Sequence, residues 1–456
     1  MVNSPAAPLS ERQSILLLAV AVIGLGNVWR LPSLILNHGG AAFLLVYAGC
    51  LLGLGLPLLM AELAYGRLAG ARLGQATRDS VAGLKLSRAW LILCFSLPLA
   101  GVALITLYGA LAGWSFGFVF RAASGLAQLD DPEQARTLFL DLASDPERSM
   151  LWHSLFWMCI GIISAQGWRN GLLRAARWFG GLMVLLALLL ADALGRLAGE
   201  GILDGGFFAP RWSELGIAGL WAALTQACFT LTVGLGLIYV VGRRVDPQAN
   251  LGRIGLSVLA LDLGFSLLLG SAMATLVAPQ GQMAGGVSLV FVDMVIALAP
   301  HRGLQIGFFC LLLVLSASSA MLLIEPFVQS VKSRFRCSRV AAASGVSVVA
   351  WLAGLLAIFS FGPWRDWSWG GRGLVEWLLY LGVNLLIPLN CLLLAGFVGR
   401  AMPPALVGAA VRTGLSTALI WYWLLRYPVR LVLILLILQS SGIMAAVLRF
   451  FAPMPT

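Results

Sequence analysis

Residues 24–32 read Gly24-Leu25-Gly26-Asn27-Val28-Trp29-Arg30-Leu31-Pro32. They sit inside an apolar run, roughly 14–37, that is otherwise long enough to cross a bilayer as one helix. A Gly-x-Gly step followed by asparagine interrupts the helical pattern near the middle of that run, because glycine weakens a helix. Backbone left unpaired inside a membrane is tolerated only where protein, water or a ligand satisfies it. The fold therefore turns on whether this break has a counterpart.

Residues 230–236, Thr230-Leu231-Thr232-Val233-Gly234-Leu235-Gly236, interrupt a second apolar run in the same way. Apolar runs predict eleven spans, at roughly 14–37, 41–66, 89–120, 151–169, 172–195, 216–242, 254–278, 302–331, 339–361, 373–399 and 417–447. The two breaks stand five spans apart. Paired interruptions at corresponding positions of two halves point to an inverted-repeat transporter with a site at the bilayer midplane. Taken alone, Gly-x-Gly equally suits a close contact between membrane helices.

Composition agrees with a membrane protein. The chain has 456 residues, 60% hydrophobic and 11% charged, with mean hydropathy +0.92, where a soluble domain carries about a quarter charged residues. That excludes a soluble enzyme, a nucleic-acid binder and a disordered scaffold. A transmembrane β-barrel is excluded because its strands need only about 9–11 residues. The first run lacks an Ala-x-Ala cleavage site and contains Arg30, so it is read as a helix rather than a signal peptide. The net charge of +11 is mainly a topology signal: eighteen Lys and Arg fall in segments on the side of Arg12 and nine on the opposite side. The positive-inside rule then places the N-terminus in the cytoplasm. Six of the seven cysteines lie in apolar runs, with Cys337 in a basic loop, and read as packing residues. Residues 121–150 read as a solvated acidic external loop, 279–301 as a re-entrant or surface-lying helical loop, and 400–416 as an interfacial helix on the inner side.

The stretch 24–32, with Gly39-Gly40-Ala41-Ala42-Phe43, Pro57 and Glu62 to Arg67, resembles the start of the neurotransmitter:sodium symporter family. That family's signature reads GLGNxWRFP, then NGGGAF, then a proline and a glutamate in the second helix. Gln226-Ala227-Cys228-Phe229-Thr230-Leu231-Thr232-Val233-Gly234-Leu235-Gly236 is similar to its sixth helix, QxFFTLSLGxG. Ser318-Ser319 with Pro326 resembles its eighth, Asn384 to Leu389 its tenth, and Leu424-Leu425-Arg426-Tyr427 the eleventh of bacterial members. The resemblance covers about residues 11–445. It implies an all-α polytopic membrane protein of about eleven helices, a five-plus-five inverted repeat with helices one and six broken. The chain is then one transporter domain over 1–456, with a first repeat at about 12–195, a second at about 212–399 and an additional helix at about 417–447.

Carried over residue by residue, the resemblance implies two sodium sites and no organic cofactor. The first sodium takes Asn27, the Val22 carbonyl, Thr230, Asp262 (where the family usually has Asn) and the substrate carboxylate. The second takes the carbonyls of Val20, Ile23 and Leu315 with the hydroxyls of Ser318 and Ser319. Amides of Leu25 and Gly26, at the start of an outer half-helix, face the substrate carboxylate, and Tyr108 binds the same carboxylate. Leu104, Phe229, Thr232, Leu235, Ser319 and Leu323 line an apolar side-chain pocket. Monoamine members carry Asp where this chain has Gly24, so the implied substrate is an aliphatic or aromatic amino acid. Tyr47, Gln226 and Ser266 match the chloride-site positions, and Asp262, one turn before Ser266, is expected to replace the anion and to take a proton in the return step. Glu62 is read as a hydrogen-bonding partner of the sixth helix rather than a ligand.

The resemblance also implies gates. Arg30 matches the outer-gate arginine, with Glu376 as the only acid of the tenth span. On the inner side the family pairs an N-terminal arginine with an aspartate, braced by a tyrosine; here Arg12 either serves or is only a topology charge, while Ser333 and Arg244 stand at the other two positions. The overall expectation is sodium-coupled symport of a hydrophobic amino acid, independent of chloride, in a bacterial inner membrane, by a monomer or weak dimer. The bacterial setting follows from the lack of a twelfth span and of disulfide loops. A membrane enzyme is not expected, because His38, His153 and His301 are scattered and no HExxH or GxSxG occurs. The alternative is an amino-acid-binding sensor of the same fold that no longer transports.

Overall fold

The computed structural model describes residues 8–69, 73–198, 207–277 and 285–444. Parts of the predicted 279–301 segment and of the last span, with Arg72 and Arg449, lie outside these residues. What is described is helical, with three isolated bridges and no strand longer than that among the described residues.

Among the described residues, eight helices are long and apolar enough to cross a membrane, and nine if the bent pair Glu11–Val22 and Gly26–Asn37, kinked by 48°, is one span. The other two predicted spans are the helix Pro146–Ala165 and the sixth, which is split into Trp212–Thr230 and Leu237–Gly242. They miss the length-and-hydropathy test because one carries charges in its first turn and the other is interrupted. The remaining spans are Ala41–Ala69, Arg88–Ser124, Trp168–Ala193, Leu251–Ala274, Arg302–Arg334, Arg339–Phe361, Leu374–Ala401 and Leu415–Ser440.

Local sequence explains the breaks. The first span starts on a capping box, in which Ser10 accepts from the Gln13 amide and Gln13 from the Ser10 amide. It ends where Ile23 turns to ψ 94°. After Gly24 and Leu25 the chain re-enters a helix at Gly26, and the Asn27 side chain accepts from the Gly24 amide at 3.1 Å. In the sixth span Thr232, Gly234 and Gly236 take φ of 51°, 79° and 81°. Glycine adopts such angles freely; a β-branched threonine there is strained by about 1–3 kcal/mol.

One expectation changes. The acidic loop 121–150 is largely folded: Asp131 caps a helix at Pro132–Ala143 and Asp145 caps the fourth span. Phe139 of that helix packs edge-on against Trp114 and stacks on Phe291. Its carboxylates start helices and complement their dipoles rather than merely solvating a loop. The segment before the eighth span contributes two short helical turns, Leu289–Asp293 and Met294–Ala297. The helix Pro404–Val411, ending at Arg412 with φ 55°, sits where the interfacial helix is predicted.

Candidate functional site

The two breaks lie against the seventh span at a buried polar cluster. Asn27 donates from Nδ2 to Asp262 Oδ1 and to Ser266 Oγ, both at 2.7 Å, and Thr230 Oγ1 donates to Asp262 Oδ2 at 3.2 Å. Asn27, Thr230, Asp262 and Ser266 are all buried. A carboxylate inside a membrane is costly unless paired, and these donors satisfy part of it. The Asp262 carboxylate and the Thr230 and Ser266 hydroxyls bring hard oxygens together that suit a small cation, while Asn27 turns its nitrogen to the carboxylate and its oxygen to the Gly24 amide. Tyr47 Oη and both ends of the Gln226 amide, completely buried, have no partner among the described residues. Such groups mark places where a ligand or water is expected.

Beside the first break, the eighth span supplies two serines. Ser319 donates to the Ala21 carbonyl and Ser318 to the Leu315 carbonyl, each at 3.0 Å. The hydroxyls keep their lone pairs, so both stay able to ligate a cation. The predicted partners Val20, Val22 and Ile23 are buried alongside. Ser319 itself bonds to the carbonyl of Ala21, which lies between Val20 and Val22 in the first span.

Gly24 faces the third and eighth spans. A Cβ there would lie 2.9 Å from both Tyr108 Oη and Ser319 Oγ, closer than real Cβ contacts. Tyr108 is hydrogen-bonded to Ser319. Leu25, Gly26, Leu104, Tyr108 and Phe229 share one cavity of about 10 Å³, joined by Trp29, Leu107, Leu111 and Leu379, which sequence reading did not single out. That volume holds about one water, so a larger ligand needs side chains such as Phe229 to move. Leu235, Leu323 and Thr232 are buried but do not line this cavity. Thr232 Oγ1 has no partner among the described residues.

Above lies a larger cavity of about 590 Å³, lined by Arg30, Phe229, Glu376, Tyr380 and Asn384 among others. Trp29, Phe229 and Leu379 belong to both cavities and form the partition between them. The Arg30 guanidinium sits over the Phe229 ring, 5.7 Å from its centroid. The expected Arg30–Glu376 pair is not formed: Glu376 accepts from the Gly373 amide at 3.1 Å, closing its own capping box. The two residues face one cavity without touching.

The inner side also departs from expectation. Arg12 is exposed and forms no ion pair among the described residues, and Ser333 bonds back to Ser330. Neighbouring Glu11 pairs instead with Arg253 at 3.3 Å. A different network occupies this end. Glu325 is fully buried and takes both Nη atoms of Arg339, at 2.9 and 2.7 Å. Arg339 also donates to the Ser164 carbonyl; Gln329 donates to Glu325 and accepts from Arg243 at 2.6 Å. Arg244 stacks over Trp168 at 4.5 Å, and the Leu9 amide donates to the Arg244 carbonyl. Glu325 before Pro326, an acid inside an apolar run, was the available signal for this network.

Glu62 holds the second break. Its carboxylate accepts the amides of Gly234, Gly236 and Tyr239 at 2.7, 3.0 and 3.2 Å. It thus satisfies the donors freed at the start of the inner half-helix, as expected of a structural partner.

This geometry matches known proteins. The profile of the sodium:neurotransmitter symporter family matches residues 9–115, which contain the first break. A crystal structure of MhsT in complex with L-phenylalanine superposes with TM-score 0.85 at 27% identity, over 96% of this chain and 100% of that one. Over residues 9–115 the chain carries the pattern of the sodium:neurotransmitter symporter family, and over nearly its whole length it has the fold of MhsT. Two further relatives agree with that likeness. The sodium-dependent transporter YhdH of Bacillus subtilis is 25% identical over 94% of this chain and 96% of its own length. The sodium-dependent neutral amino acid transporter SLC6A17 of Rattus norvegicus is 27% identical over 47% of this chain and 33% of its own. With this fold and these relatives the protein is a multi-pass membrane transporter with the five-plus-five architecture, both broken helices included.

Proposed function

We propose that the protein imports a hydrophobic amino acid, aliphatic or aromatic, by sodium-coupled alternating access without need of chloride. The observation that carries this is the buried cluster of Asn27, Thr230 and Asp262 at the meeting point of the two breaks. It offers a small cation the Asp262 carboxylate and the Thr230 hydroxyl as hard oxygen ligands, with one compensating charge, and a turn of the Asn27 amide would add a third oxygen. The family and the relatives above are sodium-dependent transporters, and MhsT binds phenylalanine. The substrate carboxylate is placed at the unpaired amides of Leu25 and Gly26 and at Tyr108, next to the first sodium. Its side chain goes among Leu104, Leu107, Leu111 and Phe229, an apolar lining that suits no charged group. Gly24 leaves no room for the carboxylate that would meet a monoamine.

Two sodium ions are assigned, the second to Ser318, Ser319, Leu315 and the first-span carbonyls. Each contributes about 1.4 kcal/mol per tenfold gradient and about 2.3 kcal/mol per 100 mV, so two drive roughly 7 kcal/mol of accumulation. Asp262 stands in for chloride as the fixed negative charge beside Tyr47 and Gln226. The two repeats are assigned to about 12–195 and 212–399, with the N-terminus cytoplasmic in a bacterial inner membrane.

Scintillation-proximity binding of tritiated leucine, phenylalanine, tyrosine and tryptophan to purified protein tests this, in sodium or choline, each with chloride or gluconate. Sodium-dependent binding indifferent to chloride is expected. Binding that persists in choline overturns the sodium sites. Binding without counterflow in proteoliposomes would identify a sensor instead of a transporter.

A further inference from the structure

The unwound segment of the sixth span frees carbonyls as well as amides. Glu62 takes the amides; the carbonyl of Gly234 is taken by Asn390 Nδ2, at 2.8 Å. The same nitrogen donates its other hydrogen to the Ser96 carbonyl, near the start of the third span, also at 2.8 Å. Asn390 is fully buried on the tenth span, two residues after Pro388. Gly234 is pressed against it, since a Cβ at Gly234 would lie 2.9 Å from Asn390 Cβ. Cys391 Sγ faces the Val233 carbonyl at 3.9 Å.

An amide in an otherwise apolar run is costly unless hydrogen-bonded, so packing alone gives no reason for Asn390. Its bonding does: one nitrogen with two diverging hydrogens reaches two carbonyls on different spans. Asn390 Oδ1 and Ser96 Oγ have no partner among the described residues. They are spare hydrogen-bonding atoms around the same joint.

We propose that Asn390 is a positioning residue for the transport step, a clasp that holds the hinge of the sixth span to the third and so sets the tilt of the inner half-helix Leu237–Gly242. This role rests on the transport function proposed above. The bond to Gly234 moves with the hinge, because residues 233 and 234 pack directly on residues 390 and 391. The bond to Ser96 is the one that opens when the half-helix swings. Ser96 Oγ then receives the released hydrogen, so opening exchanges one partner for another rather than stranding a buried donor.

Asn390→Ser and Asn390→Leu grade the donors from two to one to none. In sodium and substrate, hydrogen–deuterium exchange of the amides of Leu237–Gly242 is expected to accelerate in that order, by about tenfold in Asn390→Leu, the effect of about one hydrogen bond. Substrate affinity at saturating sodium should stay within about threefold of wild type, while proteoliposome uptake falls by about tenfold on the same scale. Unchanged exchange with wild-type uptake in both variants overturns the clasp. Loss of binding and uptake in equal proportion also overturns it, leaving Asn390 a packing residue. If neither variant folds, Ser96→Ala, which keeps the carbonyl and removes the spare hydroxyl, decides: slower uptake at unchanged affinity supports the clasp, and wild-type uptake overturns it. Absence of sodium-dependent binding in the wild-type protein would instead defeat the transport function, so the two failures are distinguishable.

Discussion

Asp262 concentrates the chemistry of the site in one carboxylate. It accepts from Asn27 and Thr230, and two completely buried groups predicted to lie at the same site, Tyr47 Oη and the Gln226 amide, have no partner among the described residues. Replacing it by asparagine keeps the shape but removes the charge proposed above to compensate the first sodium. In Asp262→Asn, the sodium concentration for half-maximal substrate binding should rise by at least about tenfold, the equivalent of about 1.4 kcal/mol. Added chloride should recover part of that loss, since Tyr47 and Gln226 can then donate to the anion. A sodium titration in chloride and in gluconate checks both. Wild-type sodium affinity in gluconate would show that Asp262 compensates nothing. Position 262 was readable from sequence only because a motif fixed the register of its helix. Its contact with Asn27, 235 positions away, is a product of folding. The gate residues show the limit of such reading: Glu376 was the right type in the right span, but its own helix start took the carboxylate first.

At the scale of elements, the breaks were legible and their support was not. Gly-x-Gly steps report where a helix stops, because they change local backbone preference. Which side chain then satisfies the freed groups depends on a neighbouring span, and polar residues inside apolar runs were the only hint. Glu62 fits the hint: one carboxylate accepts three amides of the sixth span. Glutamine there keeps one acceptor but turns an N–H toward backbone N–H groups, leaving a buried donor unpaired. Glu62→Gln should therefore lose about 2–3 kcal/mol of stability, read as a lower midpoint in thermal unfolding of the purified transporter. An unchanged midpoint would mean that the inner half-helix needs no carboxylate cap. The same separation explains the folded acidic loop, whose aspartates are helix caps that composition alone reads as solvation.

The whole molecule closes its two ends by different means. At the Arg30 end, a guanidinium lies over an aromatic ring between two cavities. At the opposite end, a network around a buried acid joins four spans: Glu325 and Gln329 of the eighth, Arg339 of the ninth, the Ser164 carbonyl of the fourth, and Arg243 at the end of the sixth. The Glu325–Arg339 pair and Ser164 connect spans that need not part. Gln329 carries that network across to Arg243 of the sixth span by a neutral side chain, which separates at lower cost than an ion pair would. If the transport function proposed above holds, the Arg243–Gln329 bond is the contact expected to open, with the ion pair as its foundation. Gln329→Leu should raise the population open on the Arg243 side and weaken sodium-dependent substrate binding by about fivefold or more, the lower range of a coupling free energy. It should leave thermal stability near wild type. Arg339→Gln, which strands a buried charge, should instead cost about 3–5 kcal/mol of stability. Substrate titration and thermal unfolding of the two variants separate the roles. Equal losses of stability in both would mean that the network is one structural unit, with no contact in it set aside for opening.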